Sequence, residues 1–197
     1  MAQAGRRPGQ NETREAILDA ARHRFASQGY DGATVRAIAA DAGVNAALLN
    51  HFFGSKQQLF VASMDLPINP GEIVPLILEG PHEEIGERLV RMFLGLWSDP
   101  VTRTPFLALV RSAMTNEQFA AMLRQFMERA VFAKVAEAKG IPRVRIAAAV
   151  AQMMGVALLR YVIGAPPLAD AADDELVALL APVIQHYFDQ NPADGGP

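Results

Sequence analysis

The chain has no cysteine, which excludes a disulfide framework and any zinc or redox site built on thiolates, and fits a reducing cytoplasm. It carries little net charge, −3 over 197 residues, so no field of one sign draws the whole molecule to a polyanion. It lacks the apolar–polar alternation that half-buried strands need. Its longest apolar stretch, 146–159, is interrupted by Gln152 and falls short of the roughly 20 residues that span a bilayer. The first ten residues hold Arg6 and Arg7 but no apolar segment of a secretory signal. The expectation is a soluble, cytoplasmic chain with no membrane partner.

The marks of catalysis are missing as well. There is no G-x-S-x-G elbow, and Ser63, Ser98 and Ser112 have no histidine nearby in sequence. His23, His82 and His186 are far apart and show no metal-ligand spacing. Glu83, Glu84 and Glu87 read as a solvated helical face rather than an acid/base pair. No enzyme activity, metal or cofactor is expected.

What is present is helix. Hydrophobic residues make up 51% of the chain, enough for a core, and their spacing predicts an all-α fold of about nine to ten helices. Asn11 can cap a first helix whose apolar face is Ile17, Leu18, Ala21 and Phe25, with Gly29 as its stop. Thr34 caps Val35–Asp41, Gly43 breaks it, and Asn45 caps a third helix to about His51. Ser55 with Gln58 makes a capping box for a fourth helix starting at Lys56.

Proline and glycine punctuate 67–81, leaving room for one short helix around 72–78. Ile85, Leu89, Met92, Phe93, Leu96 and Trp97 then repeat with helical period up to Asp99-Pro100. Thr104-Pro105 reads as the start of a helix to about Thr115. Asn116 opens the next, with Phe119, Met122, Leu123, Phe126 and Ala130 on one face and Gly140 as its stop. Pro142 begins a helix reaching Ile163, and Asp173 caps a last helix with an apolar stripe from Leu176 to Phe188. The expected organisation is a flexible arm over 1–10, a three-helix domain over 11–60, a larger helical domain over 61–190, and a disordered tail over 191–197.

The informative stretch is 34–56, TVRAIAADAGVNAALLNHFFGSK. Two short helices meet at a tight turn through Gly43, and the second is too short to be stable alone. A B-DNA major groove is wide enough to admit such a helix. Charge agrees in direction: residues 1–60 carry seven basic and five acidic side chains, against an acidic remainder.

With F-A-x-x-G-Y-x-x-x-T at 25–34, A-G-V at 42–44 and H-F-F-G-S-K at 51–56, residues 13–60 resemble the DNA-binding domain of the TetR family. The segment 147–161, followed by Pro167, Leu168 and Ala169, resembles a C-terminal domain type frequent in actinobacterial members. The chain departs from the usual Ser-Lys-Gly-Thr-Leu-Tyr run of the recognition helix, having Asn45, Ala46, Ala47, Leu48, Leu49 and Asn50 instead. The resemblance implies a transcriptional regulator, expected to be a repressor released from a palindromic operator by a small apolar or amphipathic molecule. An all-α interaction module without DNA binding is the alternative that the apolar recognition helix leaves open.

The expected partners are double-stranded operator DNA, a second copy of the chain and an unidentified effector. The residues expected at the DNA are Asn50 on a base edge, Ala46, Ala47 or Leu48 on thymine methyls, His51 on a phosphate, Asn45 at the helix start, and Thr34, Arg36 and Lys56 on the backbone. Phe93, Trp97, Leu109, Met114, Phe126 and Met153 are expected to line the effector pocket, with polar groups from Arg111, Gln125, Gln152 or Tyr161. The helix after Pro142 is apolar almost all round, so a two-fold mate is expected to cover it and the last helix at Ala147, Ala151, Gly155, Leu180, Ile184 and Tyr187.

Overall fold

The computed structural model describes residues 8–66 and 69–189. Among these no strand occurs. In chain order the helices are α1 (Pro8–Gly32), α2 (Val35–Asp41), α3 (Ala46–Phe53), α4 (Lys56–Ser63), α5 (Pro70–Leu78), α6 (Ile85–Ser98), α7 (Pro100–Thr115), α8 (Glu117–Met127), α9 (Ala133–Lys139), α10 (Arg143–Ala157), α11 (Pro166–Ala169) and α12 (Asp173–Asp189). π-helical turns at Glu128–Phe132 and Leu158–Ile163 join α8 to α9 and extend α10. With its π turn the latter is a helix over Arg143–Ile163, ending where the sequence placed it, and by length and composition alone it is apolar enough to cross a membrane, although the apolar run inside it is shorter. The expected arm is helical from Pro8 onward. Residues 1–7 and the expected tail over 191–197 lie outside the described residues.

The chain forms two compact units. The first takes in α1–α4 and also Ala108–Met127, a segment that the sequence pattern had assigned to the C-terminal domain. The physical reason is an aromatic cluster: Phe60 lies 4.9 Å from Phe25 and 4.5 Å from Phe126, and Tyr30 packs 5.2 Å from Phe126. Ile17, Leu18 and Ala21 of α1, Ile38 and Ala39 of α2, Leu49 of α3 and Leu59 of α4 complete its core. Gly29, at φ 72°, breaks α1 and turns Tyr30 into the cluster. A side chain there would meet the Gln125 amide, whose oxygen accepts from the Asp31 N–H at 3.2 Å.

The second unit is built on α6 and α12. The two backbones approach so closely at Gly86 that a Cβ would lie 2.2 Å from the Ala181 carbonyl, while the Gly86 N–H donates to Gln185 Oε1 at 2.8 Å. Ile85, Leu89, Phe93, Leu94 and Trp97 of α6 are buried, as are Leu176, Val177, Ile184 and Phe188 of α12 and Ile146, Ala149 and Met153 of α10. As α1 begins at Pro8, ahead of its expected cap Asn11, one helix here also begins early. α7 begins at Pro100, with Asp99 Oδ1 accepting from the Val101 N–H at 2.9 Å, so Thr104-Pro105 lies inside the helix. Asp99-Pro100 supplies the same cap and first-turn proline five residues earlier.

Candidate nucleic-acid interface

The turn before α3 is made by a glycine that only a left-handed conformation suits. Gly43 has φ 67°; its N–H donates to Ala40 O at 3.1 Å and the Val44 N–H to Ala39 O at 2.9 Å. This pair of bonds is a Schellman motif, which satisfies the last carbonyls of α2 while reversing the chain. Asn45 then starts α3, its side-chain oxygen accepting from the Leu48 N–H at 2.7 Å. Thr34 and Ser55 cap α2 and α4 in the same way, on Ala37 at 3.2 Å and Gln58 at 3.1 Å. The return half of the expected capping box is not formed, because the Ser55 N–H donates to Phe53 O.

α3 is two-faced. Leu49 and Phe53 are buried, while Asn45, Ala47, Leu48, Asn50 and His51 are exposed and Ala46 is half-buried. The helix runs two residues beyond its expected end at His51, since Phe53 still belongs to the buried face. Its outward surface therefore offers small apolar groups, one amide and one imidazole, with no lysine or arginine. Arg36, on α2, is exposed and makes no ion pair or side-chain hydrogen bond among the described residues. Lys56 is engaged by its own chain: Nζ lies 4.6 Å above the Tyr30 ring and donates to Asp31 O at 3.3 Å. That anchors α4 to the segment after Gly29.

A bidentate pair braces this arrangement from behind. Arg24 of α1 donates to both carboxylate oxygens of Asp41, at the end of α2. The hydrogen bond to Arg24 holds the Asp41 carboxyl below its ordinary value. Arg22 donates to Ser63 O at 2.9 Å and so ties α1 to α4. An open groove of about 630 Å³ runs along α1 past Asp19, His23, Ser27 and Ala42, and none of the residues expected at DNA or effector lines it.

The residues expected to line a pocket are divided between the units. Phe93, Trp97 and Met153 are buried in the second. Leu109, Met114 and Phe126 belong to the first. Met114 is 82% exposed and Phe126 stacks within the aromatic cluster, and the Gln125 side-chain oxygen accepts from the Asp31 N–H. In the second unit Trp97 is joined instead by Phe106 at 4.8 Å and Tyr161 at 6.0 Å. Phe106 was not anticipated beside the indole.

Of the residues expected at a dimer interface, Ala151 and Gly155 are exposed and Ala147, Leu180 and Tyr187 half-buried. Ile184 is fully buried in its own chain. The outward apolar residues of α12 are Leu179 and Val183, and those of α10 and its π turn are Val144, Leu158, Leu159, Val162 and Ile163.

Comparison with known proteins adds independent findings. A family model described as bacterial regulatory proteins, tetR family, matches residues 17–63. One described as tetracyclin repressor-like, C-terminal domain, matches residues 83–188. The HTH-type transcriptional regulator BetI of Agrobacterium fabrum is 28% identical over 184 residues, covering 89% of this chain and 86% of that one. The HTH-type transcriptional repressor AcnR of Corynebacterium glutamicum is 42% identical over 59 residues, 30% of each chain. A solved TetR-family regulator from Streptomyces coelicolor A3 is 32% identical and covers 95% of this chain and 100% of its own, with a TM-score of 0.44.

Proposed function

Because the chain belongs to the TetR family of bacterial transcriptional regulators, we propose that it is a repressor that binds a palindromic operator as a homodimer and is released by a small apolar or amphipathic molecule. The observation that carries the DNA reading is α3 itself. A two-turn helix is held by Leu49 and Phe53 and presents Ala47, Leu48, Asn50 and His51 outward. Asn50 can bond an adenine edge, and Ala47 and Leu48 suit thymine methyl groups. With few cations at this face, phosphate contacts rest on Arg36, His51 and the starts of α2 and α4, and the salt dependence of binding is moderate. A gel-shift with the DNA upstream of the chain's own gene tests this. Asn50→Ala should relax preference at one base position by about 1–3 kcal/mol. Unchanged affinity and preference would refute the groove assignment.

The dimer reading rests on the apolar residues that α10, its π turn and α12 leave exposed. A neighbouring helix can approach closely at Gly155, where an added Cβ would meet nothing within 4 Å. A stable interface should bury more than roughly 1,000 Å² in total. Light scattering should give twice the chain mass, and a monomer in dilute solution would overturn the pairing. Release by an effector requires that the ligand bind the DNA-competent and released states with different affinity.

A further inference from the structure

Two polar atoms in the second unit are buried with no hydrogen-bond partner: Nε1 of Trp97 and the hydroxyl of Tyr161. Trp97 as a whole is 2% exposed. Buried polar groups are nearly always satisfied, so an orphan pair points to a missing partner. The two rings lie nearly parallel, 20° apart with centroids 6.0 Å from each other. Phe106 and Phe93 pack on the indole at 4.8 and 5.9 Å. Tyr161 sits in the π turn Leu158–Ile163, and such turns recur where a helix is shaped around a site.

Two guanidinium groups approach the same tyrosine, Arg160 at 5.3 Å and Arg103 at 5.7 Å from its ring. Arg160 is engaged by its own chain, donating to Leu168 O and Ala171 O and pairing with Asp173. Arg103 makes one long bond, to Trp97 O at 3.4 Å, and has no carboxylate within ion-pair distance among the described residues. The cluster thus gathers an indole N–H and a guanidinium, which can only donate, and a phenol able to donate. It offers a cation without a counter-ion, in aromatic surroundings.

We propose that this cluster binds an apolar carboxylate, with the anion accepting from Trp97 Nε1, the Tyr161 hydroxyl and Arg103, and its hydrocarbon body against Phe93 and Phe106. The proposal rests on reading the second unit as the effector domain and specifies the ligand's chemistry. Arg103 and Phe106 lie on α7, in its part that belongs to the second unit.

Trp97 is the only tryptophan of the chain, so its fluorescence reports binding without DNA. The full-length protein is titrated with benzoate and decanoate, each against its matched amide and amine. At least one carboxylate should perturb Trp97 emission saturably, at least about tenfold tighter than its amide or amine. Arg103→Gln and Tyr161→Phe should each weaken that binding about tenfold, and Tyr161→Phe should leave the melting temperature of the free protein unchanged or raised, since its hydroxyl has no partner to lose. No carboxylate preference, a preference for the amine, or preference retained in both variants would overturn the site. Carboxylate binding at Trp97 without operator release in a parallel gel-shift would support the site while refuting the release reading.

Discussion

In the first unit, the short helices around the recognition segment begin on side chains that accept a backbone N–H: Thr34, Asn45 and Ser55. In the second, Trp97 and Tyr161 bury polar atoms that nothing accepts from or donates to. The contrast separates two tasks. A recognition helix of two turns must be presented in one orientation, and local caps, the Gly43 turn and the Arg24–Asp41 brace fix it at both ends. At the proposed ligand site, donors left unsatisfied carry a cost in the free state that a bound acceptor would remove. The two units also leave different apolar residues exposed: Ala47 and Leu48 on α3, and Val144, Leu158, Leu159, Val162, Ile163, Leu179 and Val183 on α10, its π turn and α12.

The sharpest way to break the comparison is at the aromatic cluster of the first unit. Phe126 is 1% exposed and stacks on Phe60, so Phe126→Ala should cost about 3–5 kcal/mol in urea unfolding. A loss below about 1 kcal/mol would mean that Ala108–Met127 is not part of that core. Next in size is a pair of substitutions within α6. Gly86→Ala pushes a methyl against the Ala181 carbonyl and should destabilise by about 2–3 kcal/mol. Gly95 is exposed with nothing within 4 Å of an added Cβ, so Gly95→Ala should stabilise by up to about 1 kcal/mol through helix propensity. Melting temperatures that move in the same direction for both would refute the close approach of α6 and α12.

The sequence revealed most where structure is decided within a few residues. The caps Thr34, Asn45 and Ser55, the stop at Gly43 and the buried stripe of α1 all depend on neighbours at fixed offsets, and they lie where the pattern put them. It misled where two local signals competed. Asp99-Pro100 and Thr104-Pro105 both encode a helix start, and only tertiary context selects the first. Helical periodicity placed Phe126 on a buried face but could not say which core buries it, nor that Ile184 faces inward while Leu179 and Val183 face out. Trp97 and Tyr161 were named from the sequence for one pocket, and they do meet, but the π turns have no periodic signature, and the approach of Arg103 and Phe106 to that pair was not legible.

The smallest effect concerns the brace behind the recognition helix, and its sign can be worked out. Arg24 and Asp41 form a bidentate pair at the surface whose side chains are 27% and 34% exposed, and solvent screening keeps its contribution at neutral pH modest. The hydrogen bond from Arg24 lowers the Asp41 pKa below its ordinary value of 3.8. A carboxyl whose pKa is lower folded than unfolded adds stability that is fully present above the unfolded value and is lost as pH falls through the folded one. Asp41→Asn should therefore melt below the parent protein at pH 5–7, and the gap should close as the pH drops under about 4. Because Asp41 sits at the end of α2, just before the Gly43 turn, the same variant should weaken operator binding at neutral pH without changing which bases are preferred. A melting gap that widens in acid would refute the assigned pair, and altered base preference would mean that Asp41 acts at the DNA rather than behind it.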